Sequence, residues 1–163
     1  GAHPLFFYAR SGHPLTRQSD VILEDLLRFP WAGPPIPWRA ARFFPESAAD
    51  CLGGSLDPRR GLFLPRVTVT SMYLAKQIVA AGQTVAISTL SQLAEDLDHG
   101  TMALIPYRAP WLHLQYGFVH LTDRPPGQAS QEFRECIFEE EKALEKRERE
   151  LRERFLPAAG AGG

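Results

Sequence analysis

RVTVTSMYLAKQIVAAGQTVAISTLSQLAEDLDHGTMALIPY, residues 66–107, carries the clearest periodic signal in the chain. It opens on a β-branched run, RVTVTS (66–71), that reads as a strand. Ser71 then caps MYLAKQIVAAG, where Met72, Leu74, Ala75, Ile78 and Val79 recur at helical spacing and Gly82 ends the run. QTVAIS (83–88) returns to a β-branched strand, TLSQLAEDLDHG to a helix stopped by Gly100, and TMALIPY (101–107) to a third strand. Strand–helix–strand–helix–strand at this spacing predicts an α/β domain on a parallel sheet with right-handed crossovers.

Upstream, PLFFYARSG (4–12) reads as a short buried strand ending in a Ser-Gly turn, followed by the extended HPL. In SDVILEDLLRF, Ser19 or Asp20 is placed to cap a helix with Ile22, Leu23, Leu26 and Leu27 on its apolar face. That helix must stop by Phe29, because Pro30 disfavours helical geometry in the residue before it. FPWAG is then a short strand, with Trp31 expected in the core, and PPIP a stiff connector. WRAARFFPESAADCLGG (38–54) has helix composition with Gly53-Gly54 as its stop; Pro45 either kinks it or opens a second short helix.

Downstream, LHLQYGFVHLT (112–122) alternates as a strand and DRPPGQAS breaks it. A long helix is predicted from Ser130 to about Phe155, with Phe133, Ile137, Leu144, Leu151 and Phe155 along one face. Glu145–Arg149, Glu148–Arg152 and Glu150–Arg154 are favourable (i, i+4) pairs on it, and LPAAGAGG is a frayed tail. This charged helix is most simply a solvated face; a coiled-coil or dimer contact is the alternative.

The 163 residues, 44% apolar and 23% charged with a net charge of −1, suit a single globular domain. The charge balance gives the whole chain no electrostatic claim on nucleic acid or an acidic membrane. No apolar run approaches the ~18 residues of a membrane helix, and the start lacks the pattern of a secretory signal. Cys51 and Cys136 form no CxxC pair and are expected as reduced thiols, with one disulfide as the alternative. His3, His13, His99, His113 and His120 show no zinc-ligand spacing, and no cofactor is called for. His113 and His120, on the expected strand, would project to opposite faces, and Asp20, Glu24 and Asp25 would sit on a helix surface. There is no GxSxG turn, and LGGSLDPRRG follows a helix and lacks the P-loop lysine, so no catalytic reading is supported and no enzyme is expected.

ARSGHPLT, LEDLLRFPWAGPP and VTVTSMYLAKQIVAAGQTVAIS, in that order, resemble the effector-binding domain of LysR-type transcriptional regulators. LQYGFVHLTDRPPGQASQEF is similar to the family's return strand, loop and start of the last helix, so the resemblance spans about residues 4–138. It implies an α/β fold like the type II periplasmic binding proteins: two subdomains, two crossover strands and a ligand in the cleft. On that pattern residues 1–12 are the crossover strand and 13–111 the complete second α/β subdomain. Residues 112–157 are the return strand and last helix of a partial first subdomain, and 158–163 a disordered tail. The helix-turn-helix, linker helix and opening βα units would lie outside this sequence. Two features depart from the family: Ser88-Thr89 and Thr84 replace an aliphatic-Pro pair and a glycine, and the C-terminal helix is longer and more charged.

Ligands in open α/β sheets sit beyond the carboxyl ends of the parallel strands, next to helix starts. Three loops meet that rule, and the candidate effector-binding residues are Pro35, Ile36, Pro37 and Trp38, then Thr70, Ser71 and Met72, then Ser88 and Thr89. Prolines hold the first loop and Trp38 can add a flat wall; hydroxyls and free N–H groups in the others suit a carboxylate. The resemblance implies that the loop matching Pro35 to Trp38 contacts the effector. Ser71 as a plain helix cap and Arg39 as a solvated charge are the simpler alternatives. The expected function is a cytoplasmic, non-membrane, effector-sensing regulatory domain for a small, anionic metabolite, working as a homo-oligomer and reaching DNA only through the missing N-terminal domain. A stand-alone solute-binding protein of the same fold, or an oligomerisation module working through the charged helix, are the alternatives.

Overall fold

A computed structural model describes residues 2–115, 117–123 and 126–156. In chain order the strands and helices begin with β1 (Ala2–Pro4), β2 (Phe6–Arg10), α1 (Leu23–Leu27), β3 (Ala32–Gly33), β4 (Ile36–Pro37) and α2 (Trp38–Ala41). Then come β5 (Asp50–Cys51), β6 (Gly54–Asp57), β7 (Leu62–Pro65), β8 (Val67–Thr68), α3 (Met72–Ala81) and β9 (Ala86–Ser88). The chain continues through α4 (Leu90–Asp98), β10 (Met102–Leu104), β11 (His113–Gln115) and α5 (Gln128–Phe155).

The β-branched stretches of 66–107 assemble around β2, whose Phe7, Tyr8 and Ala9 are wholly buried. β9 and β10 flank β2, both antiparallel to it, with Phe7 opposite Ile87 and Ala9 opposite Ala103. Val85, just ahead of β9, bridges Trp31 in parallel, and β3 pairs in parallel with β8. The side-by-side order is therefore β8-β3-β9-β2-β10, with β2 alone reversed. The expected all-parallel sheet is corrected to a mixed one: each crossover, through α3 and through α4, skips one strand. Spacing along the chain reveals a crossover but not which distant strand fills the gap.

α3 and α4 follow the expected periodicity. Ser71 Oγ accepts from the Leu74 N–H at 3.3 Å, Ala75 and Val79 face the sheet, and Leu74 is exposed. Val79, Leu93 and Met102 close over Tyr8 and Ala86. After α4, Gly100 takes φ +65°, a left-handed conformation that favours glycine.

The larger core lies on the other side of β2. Trp31, 1% exposed, meets Phe7 at 5.0 Å and Phe63 at 5.2 Å between ring centroids, both edge-on, and its Nε1–H donates to the Leu26 carbonyl at 2.8 Å. α1 starts later than expected. Neither Ser19 nor Asp20 caps it; Ile22 holds the cap position, its N–H bonded to the Asp25 carboxylate at 3.2 Å, and its side chain is exposed. His13 is buried, its Nδ1 accepting from the Leu15 N–H at 3.2 Å while Nε2–H donates to the Gln83 carbonyl at 3.3 Å. Burial pushes this imidazole below its usual range; Arg10 adds to the shift and the Gln83 carbonyl opposes it.

The helix expected over 38–54 is one turn, α2, followed by a 3-10 turn at Glu46–Ala49 that Pro45 opens. The rest becomes a four-stranded antiparallel sheet of order β4-β7-β6-β5, which also turns the PPIP connector partly into strand. Gly54 is no helix stop: at φ +157° it starts β6, and a side chain there would collide with the Leu64 carbonyl. Cys51 and Cys136 are free thiols, the first bonded through Sγ–H to the Gly54 carbonyl at 3.3 Å.

The strand expected over 112–122 shortens to β11, paired with β1, so His120 is not on a strand and the face argument for His113 and His120 lapses. α5 covers the predicted helix, but its apolar stripe divides. Leu151 packs with Leu90 and Ala94 of α4, while Phe133 and Ile137 are exposed. Two of the expected (i, i+4) pairs lose a partner to the body: Glu148 turns inward to α4, and Arg154 pairs with Asp98 at 2.5 Å. The expected tail lies outside the described residues from 157 onward.

Candidate ligand site

The short distance between FPWAG and PPIP places β3 and β4 on adjacent sheets, and the opening between them is a cavity of about 510 Å³. The PPIP loop forms one wall, α2 and the following Arg42-Phe43 a second, and the residues from Trp111 to Leu114 a third. The whole of β9, Ala86 to Ser88, and Met72 at the start of α3 close the floor. This floor includes the carboxyl end of the β9 strand, the place where open α/β sheets bind ligands. The volume falls in the usual range for a small-molecule site.

Of the candidate residues, the fold brings Pro35, Ile36, Pro37, Met72 and Ser88 to this cavity. Trp38 is not among its lining residues: it is 56% exposed and lies beside Gly61. Thr70, Ser71 and Thr89 also lie off the lining. Ser71 caps α3, and Thr89, buried, shares a hydrogen bond with the Ser91 hydroxyl at 3.0 Å. Ser88 Oγ–H donates to Gln92 Oε1 at 2.7 Å, so its hydroxyl is already engaged at the cavity floor.

The start of α4 was one of the places expected to receive an anion. There the chain supplies its own: the Ser91 N–H donates to the Glu148 carboxylate of α5 at 2.8 Å. Glu148 is 1% exposed, and its second oxygen is buried without a partner among the described residues. The cations lie elsewhere. Arg39 and Arg42 both line the cavity, no Asp or Glu does, and neither guanidinium forms an ion pair among the described residues.

Arg42, Phe43, Gln92 and Trp111 line the cavity without a sequence expectation, and Arg39 and His113, read from the sequence as a solvated charge and as no catalytic partner of His120, line it too. For the arginines a signal existed: residues three apart share a helix face, so Arg39 and Arg42 had to point the same way once α2 formed. For Trp111 there was none, because only the pairing of β11 with β1 carries it to this wall.

The CrgA regulatory domain, from a LysR-type transcriptional regulator of Neisseria meningitidis, matches with a TM-score of 0.40 and 13% identity over 65% of this chain and 48% of that one. The chain thus spans about half the length of that structure. No curated protein matches the chain significantly. The profile of the LysR substrate binding domain covers residues 1–142, from the first strand well into α5, and the chain belongs to that family.

Proposed function

We propose that this domain senses a small anionic metabolite in the cavity between the PPIP loop and the Trp111–Leu114 segment. The observation that carries the proposal is the charge of the lining: two guanidiniums and no carboxylate around an otherwise largely apolar space. Two uncompensated cations in a concave site attract an anion at longer range and bond it on arrival. Pro35, Ile36 and Pro37 give one side a stiff backbone, so little conformational freedom is lost on binding. Trp38, Thr70, Ser71 and Thr89 would take part only after a movement of their loops.

In this reading the domain performs no catalysis. Ligand binding favours one arrangement of the α/β unit, residues 13–111, relative to the crossover segments at 1–12 and 112–157. The shift is bounded by the difference in affinity for the two arrangements; a ligand that binds both equally shifts nothing. Paired subunits in the cytoplasm would pass that change to a DNA-reading module outside this sequence. No helix among the described residues is long and apolar enough to cross a membrane.

Thermal unfolding against a panel of small carboxylates tests the anion claim, with the matching neutral amides as controls. A ligand at 100 times its Kd adds about 2.7 kcal/mol, a readable shift for a chain of this size. Carboxylates should raise Tm, amides should not, and the Arg39→Gln/Arg42→Gln double variant should abolish the effect. Equal shifts in the double variant would remove the cavity as the anion site. Trp38→Ala in the same screen reports whether that side chain joins the site.

A further inference from the structure

The chemistry of the cavity wall narrows the ligand further, on the reading that the cavity is the ligand site. Arg42 lies over the ring of Phe43, its Cζ 4.9 Å from the ring centroid. Phe43 stacks on Trp111, with centroids 5.3 Å apart and planes inclined by 22°. Trp111 in turn meets Phe44 edge-on at 5.8 Å. These planes come from the turn after α2 and from the segment entering β11, so the wall joins two distant parts of the chain. Phe43 keeps 46% of its surface exposed beside the cavity.

A guanidinium stacked on a ring keeps its N–H donors at its edge, where the planar fork matches a carboxylate with two parallel bonds. Aromatic faces prefer an offset-stacked or edge-on ring as neighbour, and such a pair adds to simple area burial. We propose that the cavity takes a flat, conjugated carboxylate, its ring system extending the Phe43–Trp111 wall and its carboxylate held by the Arg42 fork, with Arg39 as a second cation one turn back. A compact aliphatic polyanion would satisfy the charge but leave the exposed part of Phe43 open to water.

Calorimetric titration of the full chain with trans-cinnamate, 3-cyclohexylpropanoate and cinnamamide separates the two requirements. The second lacks the flat ring and the third lacks the charge. Cinnamate should bind about tenfold more tightly than either. Arg42→Gln should cost cinnamate about tenfold and leave cinnamamide within about twofold. Phe43→Leu should weaken cinnamate more than the saturated acid; Phe43 is half exposed, and an unchanged thermal transition confirms that the variant folds. If the saturated acid binds as tightly as cinnamate, and both need Arg42, the flat-ligand inference falls and the anion site stands. If Arg39→Gln weakens cinnamate and Arg42→Gln does not, the assignment to Arg42 falls. If none of the three binds at millimolar concentration, the flat-carboxylate inference falls, and the anion reading is then decided by the carboxylate panel and the Arg39→Gln/Arg42→Gln variant.

Discussion

The two ends of α5 have similar sequence and opposite surroundings. Toward its C-terminus, Leu151 is 8% exposed against Leu90 and Ala94, Glu148 is buried at the start of α4, and Arg154 reaches Asp98. Toward its N-terminus, Phe133, Ile137 and Phe138 are 61%, 39% and 50% exposed, with Phe118 edge-on to Phe138 at 5.8 Å. A regular apolar stripe therefore guarantees a face, not a contact. What docks the C-terminal end is complementarity: a helix-start N–H meets a carboxylate, an acid at the other end of α4 meets an arginine, and Leu90, Ala94 and Leu151 pack between.

The sharpest way to break this contrast is to remove the apolar peg. Leu151→Ala deletes a nearly buried side chain from a small cluster and should cost about 2 kcal/mol, the low end for a core leucine because the site lies near the surface. Equilibrium urea unfolding reads that cost directly. A cost below about 0.5 kcal/mol would mean that the C-terminal end is as loosely held as the N-terminal one.

The same contrast explains how much could be read in advance. Residues 66–107 were legible because Ala75, Val79, Leu93 and Ala94 bury one side of two helices, and local periodicity reports that burial. Residues 38–65 were not: Trp38–Ala41 has helix composition, but Pro45 ends the option, and Gly54 serves close contact between β6 and β7 rather than helix termination. The candidate site was half legible. Pro35, Ile36 and Pro37 are fixed by local stiffness, whereas Trp111 reaches the cavity through the long-range pairing of β11 with β1. Glu148 read as a member of a surface (i, i+4) pair because nothing in α5 alone announces the α4 start above it.

Glu148→Ala is the next test. It removes the acceptor of the Ser91 N–H and leaves that amide without a partner from α5, at a cost of about 1 kcal/mol. Hydrogen exchange should show faster opening in the first turn of α4 and little change in α3. An unchanged first turn would mean that the bond contributes nothing to holding α4 in place.

Between the two ends lies Glu141, bonded to the nearly buried His3 Nε2 at 2.7 Å. Partial burial tends to raise its carboxyl, but the bonds and charges of His3 and of the chain's N-terminal amino group together outweigh that and hold it below the ordinary range. For a depressed carboxyl, the stabilising contribution is fully present above the unfolded-state value of about 4.3 and is lost as pH falls through the lower folded value. Carboxyl NMR should place the Glu141 midpoint below the ordinary glutamate range. In His3→Ala it should move up toward that range, the N-terminal amino group keeping part of the shift, and an unmoved midpoint would remove His3 as a cause.

The smallest effect belongs to the N-terminal end itself. Phe133→Gln exchanges a ring that is 61% exposed for a polar side chain of good helix propensity, so stability should change by no more than about 0.5 kcal/mol. The more informative reading is association, because Phe133, Ile137, Phe138 and Phe118 together leave apolar surface open to water. If copies of the chain associate through that surface, sedimentation at rising concentration should show less association for Phe133→Gln than for wild type, with folding unchanged. A stability loss above about 1 kcal/mol would instead mean that Phe133 is packed in solution, and the two ends of α5 would then differ in partner rather than in burial.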